Sequence, residues 1–186
     1  VGTVDFLKTK GRELGFGFTS VGQVEDSGGE VISSTRVREF LSTARPAAAA
    51  QLLGHGFEIA GEVVRGDQRG RTIGFPTANL IVDGGMRPSL GGYAIRAGLV
   101  DRDGIVWHDG IANLGYRPTF GSDVCLLETH LFDFDGDIYG KTLRVSLVDY
   151  IRPEQKFDGV EALKAQIEAD CGLAREMLAN KGPEFS

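Results

Sequence analysis

The chain has 186 residues, with 20 Lys and Arg against 26 Asp and Glu and a net charge of −6. Its 41% hydrophobic and 25% charged residues are those of an ordinary globular protein, long enough to bury a core without staples. The acidic balance speaks against a nucleic-acid partner, and no apolar run approaches the roughly 20 residues a membrane-spanning helix needs.

The first fifty-odd residues read as mixed α/β. Val4–Leu14 has helical spacing at Phe6, Leu7 and Leu14 and stops at Gly15. Phe16–Val24 alternates loosely and predicts a strand. Gly28-Gly29 predicts a turn, followed by a short strand and a helix capped by Ser33 or Ser34. Pro46 suits the first turn of another helix, stopped at Gly54. The character changes there, and a domain boundary is expected between residues 1–54 and 55–186.

After Gly56 the pattern turns to β. "FEIAGEVV" puts Phe57, Ile59, Gly61 and Val63 on one face, and "GGYAIRAGLV", "GIVWHDGIANLG", "CLLETHLFDF" and "TLRVSLVDYI" are further strand-like runs. Asp103-Gly104, Asp109-Gly110 and Asp135-Gly136 read as turns between them. Strand-like runs at such close spacing imply an antiparallel barrel or sandwich. From Val160 to Leu178 apolar residues recur at three and four, predicting a helix with Asp158 as cap and Glu161 completing a capping box. Gly172 is a point where it could kink. Cys125 and Cys171 are read as free thiols of a reducing compartment. His55, His108 and His130 lack metal-ligand spacing, and with no secretory leader pattern a cytoplasmic location is expected.

"GDQRGRTIGFPTANL", from Gly66 to Leu80, is the densest functional signal. Gly66, Gly70 and Gly74 supply bends, and Arg65, Arg69 and Arg71 supply charge that can neutralise phosphate. Pro76 fixes its own φ and restrains Phe75, stiffening Thr77 and Asn79. On extended backbone those two side chains point the same way, and two neutral oxygens suit Mg²⁺ held jointly with nucleotide phosphates. A basic surface loop followed by a plain strand is the competing reading.

This stretch resembles the signature of riboflavin kinases, specifically the kinase half of bacterial bifunctional riboflavin kinase/FMN adenylyltransferases (FAD synthetases). "GIANLGYRPTFG", "LLETHLFDFDGDIYGKTLRV" and "IRPEQKFDGVEALKAQIEAD" continue the resemblance in order. It implies a mainly β fold, a six-stranded antiparallel Greek-key barrel with a C-terminal helix, preceded by an incomplete α/β nucleotidyltransferase segment. It implies Thr77 and Asn79 as contacts to Mg²⁺ and ATP phosphate, and residues 66–74 as the segment closing over the nucleotide. Glu128 would be the catalytic carboxylate. The substrates implied are riboflavin and ATP, giving FMN and ADP; a silent flavin- or nucleotide-binding barrel is the alternative. One departure is Gly92, where the family has a β-branched residue, and it predicts a bulge.

"ISSTRVR" resembles the phosphate-contacting motif of the family's adenylyltransferase domain, which would assign Ser33, Ser34, Thr35 and Arg38 to an anion site at a helix start. A simple N-cap is the plainer reading. The His-x-Gly-His motif of that domain is missing. The resemblance therefore implies the C-terminal portion of a bifunctional enzyme, with FAD synthesis left to a longer protein. "DFDGDIYGKT" echoes both a Walker A ending and a Ca²⁺ loop, but each lacks required positions, and a tight hairpin explains it.

Overall fold

The computed structural model describes residues 3–66, 69–102, 104–118 and 123–182, with the side chains of Arg69, Arg71, Pro118 and Asp123 excepted. Two compact units divide at Ser33/Ser34.

In the first unit, α1 spans Val4–Leu14. Thr3 Oγ1 accepts from the Phe6 N–H at 3.2 Å, and Gly15, at φ +74°, closes the helix with its N–H on Gly11 O. The strand predicted over Phe16–Val24 does not form. Glycines 17 and 22 interrupt it, and only a single bridge, Glu25 to Val31, pairs the following turn. Val24 O accepts from the Ile32 N–H at 2.8 Å, but no ladder extends back over residues 16–23 among the described residues.

The second unit contains two short helices, α2 (Ser34–Ser42) and α3 (Pro46–Leu53), then the sheet. Its strands are β1 (Phe57–Glu62), β2 (Ala78–Ile81), β3 (Gly91–Asp101), β4 (Gly104–Pro118), β5 (Asp123–Leu131) and β6 (Thr142–Arg152). A single helical turn, α4 (Arg69–Thr72), lies between β1 and β2, and α5 (Val160–Ala179) follows β6. The sheet order is β1-β6-β3-β4-β5-β2 and every pairing is antiparallel. Three consecutive strands, β3 to β5, with β6 returning beside β3, make the Greek key. The sheet curls so far that Val64, just past β1, bridges to Asn79 on the opposite edge strand, its N–H 2.9 Å from Asn79 O.

Alternation along the strands sorts the two faces. Ile59, Val63, Leu80, Tyr93, Ile95, Leu114, Leu127, Leu143, Val145 and Leu147 fill the concave interior. Ala94 and Val148 on the outer face pack beneath Ala174 and Leu178 of α5 and Ala50 of α3. α5 therefore covers the outer face where β6, β3 and β4 meet.

Three expectations are corrected. Asp109-Gly110 lies inside β4, because Gly110 is a close-approach glycine: a side chain there would strike the His130 carbonyl of β5. Asp158 does not cap α5. Gly159, at φ +107°, occupies the cap position with no side-chain hydrogen bond, one residue after Asp158. Gly172 does not interrupt α5. The bulge expected near Gly92 is present as a register shift between Gly92 and Tyr93. Of the Asp103-Gly104 turn, Asp103 lies outside the described residues, and Asp101 pairs with Gly104.

Candidate active site

The site forms where β2 meets β5. Asn79 is directly opposite Glu128, and Glu128 is directly opposite Asn113 on β4. Residues opposite one another in an antiparallel ladder share a face, with Cβ atoms about 5 Å apart. Asn79, Glu128 and Asn113 therefore make one polar row across three strands. It lies on the outer face, since Ala78, Leu80, Leu127 and Leu114 point into the core.

Two glycines, Gly66 and Gly70, lie in close approach to the Phe75–Asn79 run. A Cβ on Gly66 would overlap the side-chain amide of Asn79. A Cβ on Gly70 would overlap the Phe75 carbonyl and come within 3.4 Å of Thr77 Cγ2. The Phe75 N–H donates to Gly70 O at 2.8 Å, closing α4 back on the Phe75–Asn79 run. The side chains of Arg69 and Arg71 and residues 67–68, all in the expected nucleotide loop, lie outside the described residues. Gly74 takes φ +90° where the loop turns into Phe75.

A cavity of about 560 Å³ opens beside Thr77 at the rim of the curled sheet. Val63, Ala78, Thr129 and Leu131 form its inner wall, and the connection from β5 to β6 (Phe134 to Tyr139) forms its outer wall. Arg65 stands over the Tyr139 ring at 4.9 Å and also lines the cavity. The 134–139 connection, whose Asp135 and Asp137 are exposed to solvent, is thus also a pocket wall; its aromatic ends, Phe134 and Tyr139, were the available signal. Asp133 and Arg175 of α5 brace it through hydrogen bonds of 3.1 and 3.3 Å. That contact holds the Asp133 carboxyl below its usual range.

Glu128 is half-buried and ion-paired with Arg117, whose Nη2 donates to Glu128 Oε1 at 2.5 Å. Arg117 and Asn113 are site neighbours that sequence reasoning missed, because only the β4-β5 register brings them to Glu128. The side chains of Thr77 and Asn79 make no hydrogen bond to another described residue, although Asn79 is only 4% exposed. Burial pushes the thiols of Cys125 and Cys171 above their ordinary range, so neither is an activated nucleophile.

No group of three or more His, Cys, Asp or Glu is placed to hold a metal ion among the described residues. Thr77 and Asn79 fit Mg²⁺ in another way. They offer two neutral, unengaged oxygens under a glycine backbone, and Mg²⁺ takes few protein ligands and completes its shell with water and phosphate. At the second expected anion site, α2 starts at Ser34, and Arg38 Nη1 donates to Ser34 Oγ at 3.1 Å.

A half-closed antiparallel barrel with a rim cavity beside a polar carboxylate row has the form of a small-molecule-binding barrel. A family model described as riboflavin kinase (flavokinase) matches residues 53–178. The chain belongs to the riboflavin kinase family. It is 44% identical over 178 residues to the bifunctional riboflavin kinase/FMN adenylyltransferase of Escherichia coli K12, covering 95% of this chain and 55% of that one. The chain thus spans about half the length of the curated relatives it matches. The crystal structure of a macrolide-efflux protein from Streptococcus pneumoniae is 35% identical with a TM-score of 0.78, covering 97% of this chain and 56% of that one. The riboflavin kinase of Trypanosoma brucei, 24% identical, shares the fold with a TM-score of 0.50 over 68% of this chain and 82% of that one. No helix among the described residues is long and apolar enough to cross a membrane.

Proposed function

We propose that this chain transfers the γ-phosphoryl group of ATP to the 5′-hydroxyl of riboflavin, giving FMN and ADP. The observation that carries the reading is the placement of Asn79 directly opposite Glu128, one step from the cavity that Thr77 lines. The cavity takes the nucleoside of ATP, and its phosphates run past Thr77 and Asn79 under the Gly66 backbone. Mg²⁺ bound to those oxygens would neutralise charge on the phosphates. Glu128 accepts a hydrogen bond from the riboflavin 5′-hydroxyl, orients it and takes its proton as the bond to phosphorus forms. Such general-base help is worth about 10²–10⁴-fold. Arg117 holds the carboxylate aimed before the alcohol arrives. The rest of the rate comes from positioning and charge stabilisation, as in phosphoryl transfer generally.

The stretch to Gly54 is read as part of an adenylyltransferase region, with Ser33, Ser34, Thr35 and Arg38 as remnants of a phosphate site. FAD synthesis would then belong to a longer protein. The family match beginning at residue 53 and the bifunctional relatives support this division. The free cysteines are in keeping with a cytoplasmic protein.

The test is incubation of the chain with riboflavin, ATP and Mg²⁺, with chromatographic separation of riboflavin, FMN and FAD. FMN without FAD is expected. No FMN, with flavin binding retained, would leave a silent flavin-binding barrel.

A further inference from the structure

His130 lies on β5 two residues past Glu128, and alternation along the strand puts both on the outer face of the sheet. Its Nδ1 is 2.9 Å from the carbonyl oxygen of Pro76, 54 residues earlier in the chain. A carbonyl oxygen only accepts, so Nδ1 carries a hydrogen and donates it. The imidazole is bracketed by other rings. Phe75 meets it edge-on at 5.4 Å and Phe132 at 6.1 Å, and Arg175 of α5 stands over the Phe132 ring at 4.2 Å.

The bond falls where the sheet stops holding the chain. The β2-β5 ladder begins at Ala78 opposite Thr129, so Pro76 and Thr77 lie just outside it. The ring of Pro76 fixes φ but leaves ψ free, and rotation about ψ swings the whole planar Pro76–Thr77 peptide. Pro76 also has no N–H to give to a ladder, so a side chain supplies the restraint instead. With φ set by the proline ring and ψ by the His130 donor, Thr77 is presented to the cavity in one direction. Resting on the kinase reading, we infer that His130 is a positioning residue for phosphoryl transfer: its Nδ1–H fixes the Pro76–Thr77 peptide and so aims Thr77 at the nucleotide phosphates.

The experiment compares wild type with His130→Asn, His130→Leu and His130→Phe. Asn carries a side-chain N–H near the place of Nδ1. Leu has the shape of Asn without the donor, and Phe keeps a ring between Phe75 and Phe132. ADP binding in the presence of Mg²⁺ is measured by titration calorimetry, riboflavin binding by fluorescence quenching and FMN formation by steady-state kinetics, with urea unfolding to show that each variant folds. The Leu and Phe variants are expected to bind ADP about fivefold more weakly, the scale of one lost neutral hydrogen bond. Their kcat/KM for ATP should fall by about tenfold or more through misplacement of Thr77, with riboflavin binding unchanged. The Asn variant should stay within about twofold of wild type in all three measurements. Wild-type ADP binding and kcat/KM in a folded Leu or Phe variant would overturn the inference. So would an Asn variant as impaired as Leu, or an equal weakening of riboflavin binding. If wild type bound ADP but made no FMN, the kinase reading would fail while the ADP contrast still decided the role of His130; if wild type bound no ADP, both would fall.

Discussion

At the residue scale, very little space separates the loop backbone from Asn79. Gly66 stands where any side chain would push the Asn79 amide off the row. Gly66→Ala should therefore raise KM for ATP or lower kcat by at least about tenfold, because a displacement of this kind is costly in a positioned site. Its melting temperature should stay close to wild type, since loop substitutions away from a packed core change stability little. A second residue-scale outcome concerns Tyr93, fully buried, with its hydroxyl donating to Ser89 O. Burial, and then the neighbouring Tyr150, push its pKa well above the ordinary tyrosine range. The folded state thus keeps the proton that the unfolded chain begins to lose near pH ~10. The stabilisation is complete below that pH and is lost as pH rises above it. Urea titrations at neutral pH and about pH 11 should show a steeper alkaline loss in wild type than in Tyr93→Phe. Tyr93→Phe should also cost about 1 kcal/mol at neutral pH through the missing hydrogen bond.

At the element scale, local chemistry was legible and pairing was not. The bounds of α1 and α3 could be read because Gly15 and Gly54 stop them in left-handed conformations, and Pro46 opens α3. Asp109-Gly110 misled because the same dipeptide serves a hairpin turn or, as here, a strand crossed closely by a neighbouring carbonyl. Only the β4-β5 register distinguishes the two. Glu128 was singled out through its motif, while Arg117, Asn113 and the cavity wall at 134–139 depend on contacts between strands distant in sequence. The element that positions the far side of the site is α5, anchored by the ion pair of Arg152 with Asp170, which are 16% and 6% exposed. Asp170→Ala leaves Arg152 without its partner in a largely buried place. Chemical denaturation should report a loss on the order of 3 kcal/mol, the scale for breaking such a pair from one side. An apolar replacement of both partners should recover much of it.

At the scale of the whole molecule, the curled sheet turns one continuous wall into two working faces. The interior rim carries the cavity, the outer face carries the carboxylate row, and Thr77 and Asn79 stand where one gives way to the other. The most direct measurement is Glu128→Gln, assayed for riboflavin binding and for FMN formation on the same preparation. Retained binding with FMN formation reduced by about 10²-fold or more is the expected result for loss of the base. FMN formation at the wild-type rate would contradict the role of Glu128 and the site built around it.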